Sequence, residues 1–371
     1  MTVTTVFVSF GVAIGALAGS MPSVMRQAGI SPETFGLGLT ISTFLTVGAM
    51  ALGGQIARFI SNRTVLLVVL PCFALTLGAY LMAATPLWFF IAIPIMGLCF
   101  GLTDLFMNAE AVALEHELRR PVFMTFHGGV SAAVGVMAVA ASWIATQWGT
   151  WAVALVAALM FALSWIMVAR SIVPRPLAMG KSARISTLPN KQPLMLLGIA
   201  AGLIIAAETA ALMWSAKLLD DIAPSLAAIA GLGAAFFGVC NAVVRFPGDR
   251  MRRSLGEMRL MIGSLVVAIT GFVALVLSHS YVLSVAAFAS TGFGLALLIP
   301  SIFAISASLV PENRAGALSF VSLLTALPRI LAPLAFGVVA ARFGTAVSFG
   351  LVAVGLCAAL MLILAFAKRH P

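Results

Sequence analysis

Apolar residues run along this chain in blocks of about twenty, broken by short polar or Pro- and Gly-marked stretches. A helix that crosses a bilayer needs about 20 mostly apolar residues, because its backbone must satisfy its own hydrogen bonds there. The pattern predicts twelve such spans: 4–22, 34–56, 64–84, 87–112, 122–144, 150–170, 193–216, 226–247, 259–277, 281–306, 316–341 and 346–367. The longest polar break, Ser171 to Gln192, carries three prolines and a cluster of basic residues and reads as a linker. It divides the chain into an N-terminal six-helix bundle (1–170), a cytoplasmic linker (171–192) and a C-terminal six-helix bundle (193–371).

Composition agrees with this all-α membrane reading. Hydrophobic residues make up 62% and charged residues only 9%, with a mean hydropathy of +1.14, which a soluble core of 371 residues would not need. The formal charge of +10 invites a nucleic-acid reading, but its distribution argues against one. With Met1 in the cytoplasm, seventeen of the 21 Lys and Arg fall at cytoplasmic breaks and ends. Three, Arg26, Lys217 and Arg342, fall outside, and Arg329 lies within a span. That bias is the positive-inside rule, and it predicts a multi-pass protein of the bacterial inner membrane with both termini cytoplasmic.

Cys72, Cys99, Cys240 and Cys357 all fall within predicted spans without metal-like spacing, so they read as buried apolar thiols. Ala16-Leu17-Ala18 resembles a signal-peptidase site, but Met1 to Thr5 lacks a positive n-region, so the first span is expected to be retained. Gly11, Gly15 and Gly19 lie on one face of it and allow another helix to approach closely.

Ionisable side chains in hydrocarbon are expensive unless paired or hydrated, so those inside spans mark candidate chemistry. Asp104, Asn108 and Glu110 lie in the fourth span and His127 in the fifth. Asp104 and Asn108 are about 40° apart around a helix, whereas Glu110 points about 120° away from Asp104. Asn108 and His127 sit at similar depth and could meet across the helix pair. A carboxyl kept from water titrates nearer neutrality than a hydrated one, which suits reversible proton uptake. Asp104, Glu110, His127 and Glu208 are therefore the proton-coupling candidates. A hydrogen-bonded network that only fixes helix packing is the competing reading. Arg329 could bind an anionic substrate through its planar fork, or neutralise Glu208 or Asp104. Trp214 could stack on a ring or anchor the outer interface. Asn108, Trp214, Asn241 and Arg329 are the substrate-binding candidates.

The chain also repeats itself. Phe100-Gly101-Leu102 in the fourth span has a counterpart in Phe293-Gly294-Leu295 of the tenth, and Arg-containing turns follow both the second and eighth spans. Two six-helix repeats resemble the architecture of major facilitator superfamily transporters, which implies a substrate site between the halves near the midplane. The run Gly101-Leu102-Thr103-Asp104-Leu105-Phe106-Met107-Asn108-Ala109-Glu110, then Glu115, Arg120-Pro121 and Phe126-His127-Gly128, resembles a fucose-permease-like bacterial branch. So does Glu208-Thr209-Ala210-Ala211 with Trp214-Ser215.

Arg245 with Gly248-Asp249-Arg250 and Gly256 resembles the superfamily's cytoplasmic gate motif, with Arg58 in the first-half copy. That copy departs from the pattern, having Ala57 where Asp would stand and Ile60 where Gly would stand. The resemblance implies a gate of Arg58, Arg245, Asp249, Arg250 and Arg253, with Arg250 and Arg253 pairing to Glu115 or Glu117.

The expectation is a twelve-span secondary transporter of a small polar or anionic solute, in the lipid bilayer and most simply a monomer. It would be driven by the proton gradient as a symporter, with no cofactor, no metal and no nucleic-acid partner. Efflux by antiport and a non-transporting sensor remain open. Against an enzyme, His116-Glu117 is followed by Arg119 and Arg120, so the second His of a zinc helix is missing.

Overall fold

Helix signals in the chain are local and strong. Ser31, Ser61 and Thr85 accept hydrogen bonds from the backbone N–H of Thr34, Thr64 and Trp88, and Pro32 and Pro86 stand just inside their helices. A computed structural model describes residues 1–57, 59–119, 122–171, 188, 191–245 and 247–369.

The described residues form fourteen α-helices and no strand. The first half comprises α1 (Thr2–Ala28), α2 (Pro32–Ile56), α3 (Asn62–Leu81), α4 (Pro86–Leu118), α5 (Phe123–Trp148) and α6 (Thr150–Ser171). The second comprises α7 (Gln192–Ile222), α8 (Leu232–Arg245), α9 (Gly248–Leu255), α10 (Glu257–Leu277), α11 (Tyr281–Leu295), α12 (Leu298–Leu309), α13 (Arg314–Phe343) and α14 (Thr345–Ala367). The expected linker lies mostly outside the described residues.

The helices overrun the predicted spans. At about 1.5 Å per residue, the 33 residues of α4 reach about 50 Å, well past a hydrocarbon core of about 30 Å, so its last turns, with Glu115, His116 and Glu117, project beyond it. Two spans are interrupted. The eighth begins as a 3-10 turn, Pro224–Ile229, before the 14 residues of α8. The tenth breaks at Ala296 and Leu297 into α11 and α12. The basic stretch after α8, expected as a turn, contains α9. Its Met251 packs on Leu260, Ala296 and Leu297, and a Cβ on Gly248 would stand 2.6 Å from Leu297. That docking stabilises a helix too short to hold alone.

Small residues let the backbones touch. Cβ atoms on Gly11, Gly15 and Gly19 would fall 2.6, 2.7 and 2.1 Å from the carbonyls of Val130, Val134 and Ala138, which seats α1 directly on α5. Gly97 and Gly101 set α4 equally close to Ser42 and Thr46 of α2. In the second half Gly292 meets the Phe237 carbonyl of α8, whereas Gly294 meets α10 at Ala268. By packing, then, the equivalent of Gly101 is Gly292, two residues away from the match in sequence.

The two halves meet toward the end of the bundle opposite the chain termini. Gly36 of α2 and Gly337 of α13 oppose each other, and Thr40 Oγ1 accepts from the Leu334 N–H at 3.0 Å. Ser142 of α5 donates to the Ala228 carbonyl and accepts from the Gly231 N–H, both at 3.1 Å. Arg26 pairs with Asp220 at 2.5 Å. Trp214, 1% exposed, is wedged between Phe35 of α2 and Phe336 of α13, with ring centroids 5.4 and 4.6 Å away. A continuous seam therefore closes this end.

Candidate functional site

Below the seam a cavity of about 160 Å³ separates the halves. Its walls come from α1 (Ile14, Leu17), α2 (Leu39, Ser42, Thr43, Thr46), α4 (Met96, Phe100), α7 (Thr209, Leu212, Met213) and α13 (Arg329). Among the described residues Arg329 is the one charged residue in this lining. Its guanidinium makes no ion pair or hydrogen bond with the described residues, and the opposing charge that acts on it is Asp104 of α4, beyond ion-pair contact.

Asp104 heads a hydrogen-bonded chain. The Asn108 amide nitrogen donates to Asp104 Oδ1 at 2.9 Å and to the Asp104 carbonyl at 2.8 Å. Both partners are acceptors, so the amide orientation is set by chemistry and Asn108 Oδ1 is left to accept. His127 Nε2 lies 3.1 Å from that oxygen, and it must carry the proton. Phe7 and Phe123 flank the imidazole at 5.3 and 4.8 Å. The sequence places these residues because Asp104 and Asn108 share a helix face and α5 starts at the right depth. Four residues apart in one helix and one contact across a helix pair make the whole chain.

The second half carries its own cluster. Glu208 of α7 lies 3.8 Å from Arg245 of α8, with Asn241, only 5% exposed, beside it. Arg245 Nε also donates to the Ala296 carbonyl at 3.2 Å, at the break between α11 and α12. Pro300 has no N–H to offer the carbonyl four residues before it, so Ala296 is released from the helix and Arg245 takes it. Across the gap, the charge of Arg245 reaches His127.

Residues 194–371 match the family model of the Major Facilitator Superfamily. An uncharacterized MFS-type transporter of Yersinia pestis is 25% identical over 92% of this chain and 89% of its own. The second half of the chain thus carries the major facilitator superfamily match, and its MFS-type relative spans nearly all of it. This facilitator is accordingly a multi-pass membrane transporter and not an enzyme. An uncharacterized transporter of Sinorhizobium fredii is 26% identical over 97% of the chain and 95% of its own. Membrane protein MosC of Rhizobium meliloti is 27% identical over 87% and 79%. Among solved structures, a mutant of the nucleoside transporter NupG superposes with a TM-score of 0.81 at 15% identity, covering 100% of this chain and 99% of that one. A bacterial homolog of the human lysosomal transporter Spinster, inward-facing and occupied, gives 0.73 at 14% identity over 99% and 96%. At such identities the likeness concerns the fold.

Several expected residues of the facilitator lie elsewhere. Glu110, 7% exposed, accepts from Asn62 of α3 at 3.4 Å, inside the first half and away from the central cavity. Its azimuth, about 120° from Asp104, dictates this. Trp214 anchors no lipid interface; it lies in the seam because its helix face points at the other half. Glu208 and Arg329 do not meet; Arg245 reaches back into the bundle and faces the Glu208 carboxylate at 3.8 Å, without a hydrogen bond to its Oε1. Arg245 therefore sits with the buried cluster and not on the basic surface of α9.

Arg58 and the side chain of Asp249 lie outside the described residues. Arg250 and Arg253 are exposed on α9 without an ion pair among the described residues. The Glu115 carboxylate is engaged instead by the N–H groups of Val122 and Phe123, both at 2.9 Å, at the start of α5. The sequence reading missed Thr209 and the Ser42, Thr43 and Thr46 wall, whose small hydroxyls carry no signal above ordinary packing. It also missed the Ala296 carbonyl, for which the position of Pro300 was a usable sign.

Proposed function

We propose that this facilitator carries a small polar or anionic solute across the bacterial cytoplasmic membrane by alternating access, coupled to protons in symport. Arg329 carries the reading. An arginine deep between the halves without an ion-pair partner among the described residues is costly, and its fork is suited to a carboxylate or phosphate. An anionic solute in the cavity would supply that partner.

Asp104 provides the coupling. While it is a carboxylate, hydrogen bonds run from His127 through Asn108 to Asp104, and its charge opposes Arg329. Protonation removes that charge and leaves Arg329 to the solute. Anion and proton thus enter the cavity together, with the charge balance kept. No cofactor is required beyond the proton gradient, and one copy of the chain contains both halves of the site.

Sidedness follows from the lysine and arginine bias. With both termini in the cytoplasm, the closed seam faces outside and this conformation faces inward. Arg250 and Arg253, without an ion pair among the described residues, fit a cytoplasmic gate that is unlatched in this state.

Reconstituted vesicles test the reading. Asp104→Asn is expected to abolish accumulation driven by an imposed pH gradient while leaving counterflow exchange of the same solute; unchanged accumulation would remove Asp104 from the coupling. The solute itself is sought by a thermal-shift screen over sugars, carboxylates, amino acids and vitamins, since ligand binding raises apparent stability by mass action. A carboxylate that stabilises the wild type and not Arg329→Ala is the expected hit. A neutral sugar that stabilises both equally would overturn the anion assignment.

A further inference from the structure

A second, larger cavity lies behind the first. It has a volume of about 330 Å³ and is enclosed by α7, α13 and α14. Its lining is apolar almost throughout, and Arg329 is the one charged residue in it among the described residues. Two residues, Thr209 and Arg329, line both cavities, so they form the partition between the polar space at the centre and this apolar one at the side. The side cavity also has a mouth. Leu331, Leu351 and Val354 line it while being 52%, 42% and 66% exposed, on helices whose outer faces meet hydrocarbon.

A guanidinium without an ion pair or hydrogen bond among the described residues, at the inner end of a largely apolar cleft, is complementary to one kind of molecule: an anion that drags an apolar chain. The volume is at the small end of the range of about 300–1,000 Å³ for ligand sites, which suits one short chain and not the two of a phospholipid. The source is the bilayer itself, into which such chains partition at about 0.8 kcal/mol per CH₂.

We infer that the solute of this transporter is a single-chain amphipathic carboxylate, whose headgroup sits on Arg329 at the edge of the central cavity while its tail lies in the cleft between α7, α13 and α14. This rests on the assignment of Arg329 as the anion site and specifies the class of anion. It also implies entry from the side, through the lipid-facing mouth.

The experiment is equilibrium binding of radiolabelled acetate, hexanoate and decanoate to the full chain in nanodiscs of zwitterionic lipid. Empty nanodiscs supply the background, and decanol is the uncharged competitor. Affinity is expected to rise at least tenfold from acetate to decanoate, with decanol failing to displace decanoate. Arg329→Ala is expected to lose decanoate, and Arg329→Lys to retain part of the binding, which separates lost charge from lost fold. Gly355→Leu, which places a side chain in the cleft where a Cβ has room, is expected to lower the decanoate-to-acetate affinity ratio at least tenfold.

Carboxylate binding that depends on Arg329 but not on chain length would overturn the amphiphile assignment and leave the anion site standing. A chain-length gain that survives in Gly355→Leu would overturn the placement of the tail. No binding of any carboxylate would sink both readings, and a copurifying two-chain lipid seated at Arg329 in native mass spectra would replace the carboxylate as occupant.

Discussion

Single residues in this protein repair what prolines break. Pro71 cannot donate to the Leu67 carbonyl one turn back, and the Trp165 indole N–H does so at 2.9 Å. Pro300 leaves the Ala296 carbonyl in the same position, and Arg245 fills it while also facing Glu208. In hydrocarbon there is no water to substitute, so each repair matters. Arg245→Ala should therefore cost more than an ordinary side-chain truncation, about 1–3 kcal/mol for the stranded acceptors. Pro300→Ala restores the missing N–H. The double variant is expected to recover part of the loss, as a non-additive term in a double-mutant cycle of thermal unfolding; strict additivity would separate Arg245 from the break.

Glu115 gives a pH-dependent case outside the hydrocarbon. The backbone N–H groups of Phe123 and Val122 hold its carboxyl below the ordinary range. A lowered folded pKa means that its contribution is whole at neutral pH and fades as the pH falls through the carboxylate range. Glu115→Gln should flatten the acid limb of the stability profile without changing neutral transport much. The residue scale is also where the sequence misled. Asp104, Asn108 and His127 could be read because helix spacing and span depth determine their meeting. Arg245 could not, because its neighbours in sequence belong to the basic turn while its side chain reaches the other way.

At the scale of elements, apolar length decides the spans, so their number and order follow from the chain while their ends do not: polar turns beyond the hydrocarbon still complete helical hydrogen bonds. The short helix α9 was illegible for the opposite reason. Its eight residues are held by Leu297 and Leu260, from parts of the chain that no local pattern connects to it. Helix contacts with glycine were legible as a face but not as a partner. Gly19 shows how tight they are, since a Cβ there would lie 2.1 Å from the Ala138 carbonyl. Gly19→Leu should push α1 off α5 and lower stability by about 1–3 kcal/mol or more, read as a drop in melting temperature in detergent. Gly48→Leu, with nothing within 4 Å of its Cβ, is the matched control and should change little.

For the whole molecule, the seam and the proposed gate are built of different materials. The seam joins Trp214, Phe35, Phe336 and opposed glycines, with one ion pair at its rim. The stretch beyond α8, proposed as the gate, is dominated by arginine. Opening one and closing the other exchanges aromatic burial for ionic contact. Burial of apolar surface is favoured more as temperature rises and weakens on cooling. The balance between the two conformations should therefore act as a thermometer. Spin labels at Glu33 and Arg342, across the seam, are expected to show a growing population of long distances as the sample is equilibrated at lower temperature before freezing; a population independent of temperature would mean that the two closures bury equal apolar area. A cell that grows cold would then hold more of this transporter with its seam open, with no change in its solute.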